Sequence, residues 1–134
     1  MACIFCDIIT RKRPGFIIGE DDNLIVFLSL ENHPLIVPKK HIPDIFTLDD
    51  KTAAQIMKEA VRIATATKEA LQSDGIYITQ TNGEAAGQDV FHYHMHVYPK
   101  WSSKQTLGID AEARQKVMEQ IKATLFQKGW ASTD

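Results

Sequence analysis

The chain has 134 residues, a formal net charge of −2, and 44% hydrophobic and 24% charged residues. That balance is the one expected of a single globular domain, and it excludes disorder as the main state. With 15 lysines and arginines against 17 aspartates and glutamates, there is no broad basic field for a nucleic acid or a membrane surface.

The first informative residues are Cys3 and Cys6. Read as an N-terminus, this segment lacks the charged and apolar regions of a secretory leader, and apolar runs such as 24–28 are too short to cross a bilayer. A reducing, cytoplasmic setting is therefore expected, in which a structural disulfide is disfavoured. Taken alone, the pair suits half a metal site, a redox pair or two small apolar groups. Arg11, Lys12 and Arg13 run into Pro14-Gly15 and read as a solvated turn. Residues 16–30 are rich in Ile, Val, Phe and Leu around a polar Gly-Glu-Asp-Asp-Asn break, which predicts a hairpin with strands near 16–18 and 24–28. A short strand follows over 34–38, bounded by prolines that suit only its ends.

Asp49 and Asp50 offer capping oxygens. Beyond them, Ala53, Ile56, Met57, Ala60, Ile63, Ala64, Thr67 and Leu71 recur at spacings of three and four. This predicts a helix of about six turns, closed by Gly75. Residues 76–80 read as a strand, 82–88 as a glycine-bearing loop, and 91–98 as another strand. A last helix over about 111–126 would bury Val117, Met118, Ile121 and Leu125. The pattern is α+β: an antiparallel sheet of about five strands, one long helix and a C-terminal helix.

Three histidines, His92, His94 and His96, fall in seven residues of the 91–98 strand. Alternate side chains of a strand share a face, so the three imidazoles would line up about 6.6–7 Å apart. Phe91, Tyr93, Met95 and Val97 would then face the core. Three rings in register serve no packing purpose, since each needs its own hydrogen-bond partners. Two chemistries suit them: a shared catalytic zinc, or a nucleophilic imidazole whose neighbours bind an anion. The glycine-bearing loop just upstream, Asn82-Gly83 to Gly87-Gln88, can form an anion-binding nest and favours phosphate chemistry.

The run Ala86-Gly87-Gln88-Asp89-Val90-Phe91-His92-Tyr93-His94-Met95-His96-Val97 resembles the signature of the histidine triad family. Cys3-Ile4-Phe5-Cys6, Glu20-Asp21-Asp22 and Leu35-Ile36-Val37-Pro38-Lys39-Lys40-His41-Ile42 match the same family in order and spacing. The similarity runs from about Cys3 to Lys100. It implies one domain over 1–134, with a core of about 3–100 and a C-terminal helix and tail over 101–134. It also implies a homodimer through the long helix and a sheet edge. The implied activity is hydrolysis at the α-phosphate of nucleoside phosphoramidates or dinucleoside polyphosphates. The substrate is then a nucleoside phosphate, with no nucleic-acid or membrane partner.

On that resemblance His94 is the nucleophile and forms a nucleotidyl-histidine that water cleaves. His96 binds a phosphate oxygen, and Gln88 contacts the phosphate or leaving group. Asn82 and backbone N–H groups from Gly87 through Asp89 to Val90 hold the phosphate. His92 either supports His94 or ligates metal. Some bacterial-type members hold a structural zinc with the positions that are Cys3, Cys6, His41 and His92 here. The sequence also departs from the family. Ser29 stands where an Asp often bonds the ribose hydroxyls, and the connection Glu31-Asn32-His33-Pro34 is short. Asp89 replaces a common Ser or Thr, and Lys100 a common Arg. His33 reads as a structural turn residue, and Trp130 as a tail residue within reach of a partner's site. Three other readings compete with the hydrolase. A nucleotidyl transferase normally needs a longer chain. A zinc-pinned nucleotide-binding regulatory module would hydrolyse only incidentally. A catalytic-zinc hydrolase is disfavoured by the closed ligand set.

Overall fold

A computed structural model describes residues 2–130. Helix α1 (Ile4–Ile9) precedes strands β1 (Ile17–Glu20), β2 (Leu24–Leu28) and β3 (Pro34–Pro38). Helix α2 (Asp50–Leu71), strands β4 (Gly75–Thr79) and β5 (Met95–Lys100), and helix α3 (Ala111–Gln127) follow. The five strands form one antiparallel sheet in the order β1-β2-β3-β5-β4, so the α+β expectation holds. Helix α1 was not foreseen.

The apolar runs of β2 and β3 lack alternation because both of their faces are buried. Leu24, Val26, Leu28 and Ile36 join Ile56, Ala60, Ile63, Val117 and Ile121 in a core between the sheet and helices α2 and α3. Ile25, Phe27, Leu35 and Val37 face the other way and pack against Phe5 and Ile8 of α1. Each fully buried aliphatic side chain stabilises the fold by about 1.5–3 kcal/mol, so α1 docks on a substantial apolar seat despite having only six residues. Among the described residues no helix is long and apolar enough to cross a membrane.

Helix α2 begins where expected, with the Asp49 side chain accepting from Thr52 N at 3.0 Å. Its end differs. Gln72, and not a glycine, takes the left-handed conformation (φ 51°), and Gly75 opens β4. The indole N–H of Trp101 donates to the carbonyls of Leu71 and Gln72 at 3.3 and 3.1 Å, which helps satisfy the orphan carbonyls of the last turn. Trp130 folds back onto its own chain, between Arg62 and Lys128 and against the helix-side core.

The 91–98 strand is shorter than its pattern suggests, because pairing starts only at Met95. Ahead of it, Tyr93 N bonds to Ile42 O at 2.7 Å and the His94 ring bonds to His92 O at 2.7 Å. These local bonds replace a ladder. Tyr93, Met95 and Val97 do reach the helix-side core, but Phe91 is left 49% exposed.

Candidate functional site

The histidine row meets the α1 side of the sheet, and each ring is fixed by a different neighbour. At one end, the first turn of α1 carries two thiols, with Cys3 Sγ capping Cys6 N at 3.3 Å. Cys3, Cys6, His41 and His92 converge, with their donor atoms all within 4.8 Å of one another. Cys6 Sγ lies 3.3 Å from His41 Nδ1 and 3.5 Å from His92 Nδ1. Cys3 Sγ is 3.5 Å from His92 Nδ1, and the two Nδ1 atoms are 3.1 Å apart. Ligands of a tetrahedral zinc, with metal bonds of about 2.0–2.3 Å, are separated by about 3.3–3.8 Å, so the donor set fits such an ion. His92 is fully buried, and its Nε2–H donates to Pro38 O at 2.7 Å. That bond leaves the Nδ1 lone pair facing the thiols, the orientation a metal ligand needs. Burial, the bond from Cys3 and the charges of Cys3 and Asp7 push the Cys6 thiol up to about 11; a cation among the donors is what would favour the thiolates.

In the middle of the row, His94 is nearly enclosed. Its Nδ1–H donates to His92 O at 2.7 Å, so Nε2 keeps its lone pair. Phe5 of α1 presses edge-on against the ring, with centroids 4.9 Å apart and planes at 81°. The exposed carboxylate of Asp89 lies 3.7 Å from Nε2.

At the other end, His96 lies on β5, its ring 5.0 Å from that of His94. Its Nδ1 is 2.9 Å from Nε2 of His33, and the His33 ring lies 3.8 Å from that of Tyr98. His33 is 2% exposed. Burial, then electrostatic coupling to His96 and Lys100, holds its pKa down at about 3, so it is neutral. Burial also lowers the pKa of His96, followed by the influence of His94, with Asp89 and Glu31 acting in the opposite sense. Sequence reading took His33 for a turn residue. Its role follows from β3–β5 pairing, in which Leu35 opposes His96. That register carries the chain just before β3 alongside Tyr98, and no local signal in the sequence shows it.

The short connection after β2 closes as a tight turn, with Ser29 N bonded to His33 O at 2.8 Å and Asn32 in the left-handed region (φ 70°). The Ser29 hydroxyl faces this turn and bonds His33.

The loop before the histidines is braced from within. Gly83 and Gly87, at φ 93° and 94°, flank a single 3₁₀ turn and adopt a conformation that side chains disfavour. Gln88 is buried; its Oε1 accepts from Gly83 N at 2.7 Å and its Nε2 donates to Pro43 O at 2.7 Å and Val90 O at 3.2 Å. Asn82 Oδ1 accepts from Ile45 N and Gln80 Nε2, both at 2.7 Å, and its Nδ2 donates to Gln80 Oε1 at the same distance. Both amides, expected to meet phosphate, also tie the loop to residues 43–45. The backbone N–H groups of Gly87 and Gln88 bond to Glu84 O and Gly83 O, and that of Val90 to the Asp89 carboxylate.

Comparison with known proteins agrees with this geometry. The HIT domain family model matches residues 10–103. A Bacillus subtilis protein named hit is 36% identical over 110 residues, covering 79% of this chain and 76% of that one. An adenylylsulfatase of Arabidopsis thaliana is 33% identical over 129 residues, covering 86% and 66%. The crystal structure of a zinc-bound histidine triad family protein from Mycobacterium smegmatis superposes with a TM-score of 0.86 at 32% identity, covering 96% of each chain. The chain belongs to the histidine triad family.

Proposed function

We propose that the protein hydrolyses nucleoside phosphoramidates or dinucleoside polyphosphates through a nucleotidyl intermediate on His94. The observation that carries this reading is the 2.7 Å bond from His94 Nδ1–H to His92 O, which in the neutral ring leaves the lone pair on Nε2. That lone pair attacks the α-phosphorus, and the bond to the leaving amine or phosphate breaks. Water then attacks the phosphorus, the P–N bond to His94 breaks, and nucleoside monophosphate leaves with the ring restored. His96 donates to a phosphoryl oxygen while its charge builds up; one such donor is worth about 3 kcal/mol in the transition state. Gln88 and Asn82 hold the loop that shapes this space. Asp89, beside Nε2, suits a protonated amine as leaving group better than a bare polyphosphate, since it repels anions. The adenylylsulfatase activity of the Arabidopsis relative is consistent with attack at the phosphorus of an adenylyl group.

The four-ligand set of Cys3, Cys6, His41 and His92 would hold zinc structurally. The ion would supply no reacting position; it would pin α1, and with it Phe5, against His94. The edge strand β4 leaves Tyr77 and Ile78 exposed, and α2 leaves Met57 and Val61 exposed. These surfaces would pair with a second copy, and light scattering should give twice the chain mass.

The test of the catalytic reading is His94→Ala with an adenosine phosphoramidate. Turnover should fall by at least about a thousandfold while AMP still binds, and acid-quenched wild-type protein should carry a nucleotidyl mass on the peptide containing His94. Full activity in the variant would remove His94 as nucleophile. AMP binding with neither adduct nor turnover in the wild type would leave the site a nucleotide-binding module.

A further inference from the structure

The Ser29 hydroxyl has more partners than a free surface serine needs. It accepts from the backbone N–H groups of Glu31 and His33, both at 3.2 Å, and lies 3.0 Å from His33 Nδ1. A hydroxyl has two acceptor lone pairs and one proton. With both lone pairs directed at backbone N–H groups, its proton goes to His33 Nδ1. A neutral imidazole carries one N–H, so that of His33 is on Nε2, 2.9 Å from His96 Nδ1. His96 must then accept at Nδ1, which leaves its own proton on Nε2.

We propose that Ser29 is a positioning residue that fixes His96 as a Nε2–H donor through His33. The consequence matters because burial lowers the pKa of both rings and so favours their neutral forms. A neutral imidazole can present a proton or a lone pair to a phosphoryl oxygen, and only the former attracts it. The line Ser29–His33–His96 selects the attractive form without any positive charge. It also gives a use to the residue standing where relatives often carry a ribose-binding Asp: the hydroxyl is consumed by the turn and by His33. An Asp at this position would reverse the line. A carboxylate only accepts, so it would accept a hydrogen bond from His33 Nδ1–H; His33 Nε2 would then accept from His96 Nδ1–H, and His96 would turn a lone pair toward the phosphate. The tautomer assignment stands on this structure alone, whereas its effect on rate rests on the proposed hydrolysis.

Long-range proton–nitrogen spectra of the isotopically labelled full chain, loaded with zinc, report which nitrogen of each ring carries the proton. Wild type should show Nε2–H on both His33 and His96. Ser29→Ala should lose that single pattern and lower kcat about tenfold with KM within about twofold. Ser29→Thr, which keeps the hydroxyl, should restore the pattern. Ser29→Asp, which retains an acceptor for the turn, should move both protons to Nδ1 and lower kcat further. Nδ1–H on wild-type His33 would overturn the proposal, as would Ser29→Asp that keeps Nε2–H on His96 together with wild-type turnover. Should wild type show the Nε2–H pattern but form no His94 adduct, the hydrolase reading fails and the tautomer assignment stands.

Discussion

The two ends of the histidine row contain the same side chain in opposite circumstances. His92 is fully buried, donates to Pro38 O and turns its lone pair toward two thiols and a second imidazole. His96 accepts from a neutral histidine and turns a proton outward. Between them, His94 borrows from both ends: the carbonyl of His92 sets its tautomer, and the His96 ring stands 5.0 Å away, on the side where an anion would be shared. On the proposed reading a row of identical residues becomes a ligand, a nucleophile and a donor, and backbone carbonyls and second-row side chains make the difference. The imidazole itself does not.

The largest effect should come from breaking the His92 end. Helix α1 is short, and its dock consists of Phe5, Ile8 and the thiol cluster. Chelating the metal, or replacing Cys6 by Ser, should remove a closed site and lower the melting temperature by on the order of 10 °C. Phe5, which lies edge-on to His94, would lose its anchor, so kcat should fall with the metal content. Metal analysis alongside calorimetry checks both parts. Less than half an equivalent of zinc in protein purified without chelator, at full stability, would reduce Cys3 and Cys6 to packed thiols.

How much of this was legible in the sequence follows the range of the forces involved. Helix α2 begins at its Asp49 cap and runs as its periodicity dictates, and β2 and β3 match their apolar runs, because those signals are local. The four metal-ligand candidates were legible through family resemblance, and the structure brings them together. Three things were not. The strand over 91–98 is cut short by bonds to Ile42 and His92 that alternation cannot reveal. The bracing bonds of Gln88 and Asn82 to Pro43 and Ile45 cross some 40 residues of chain, which no local pattern shows. His33 read as a turn residue, which it is, but its ring serves His96 across a strand pairing that only the folded sheet creates.

A smaller and more specific effect should appear at the His96 end on acidification. The pKa of His33 is held at about 3 in the fold and is about 6.5 in an unfolded chain. Its folded value is depressed, so the unfolded state binds the extra proton. The stability this ring secures is complete above pH 6.5 and is lost progressively as pH falls toward 3. Linkage puts the cost of this one ring at about 1.4 kcal/mol between pH 7.5 and 5.5. The groups facing it are Ser29, His96, Tyr98 and Lys100. Of these, His96 is also depressed and adds a loss of the same sign, so the wild-type slope alone does not isolate His33. The difference from His33→Gln does. Urea unfolding of both proteins in excess zinc should give curves that converge by about 1.4 kcal/mol over that interval, the variant being the less acid-sensitive. Parallel curves would mean that His33 gains its proton as readily in the fold as in the unfolded chain. A protonated His33 donates from both nitrogens, so the Ser29 hydroxyl would have to accept at that contact. The contrast between a thiol-bearing end that suits a metal and a neutral hydrogen-bonded end would then weaken.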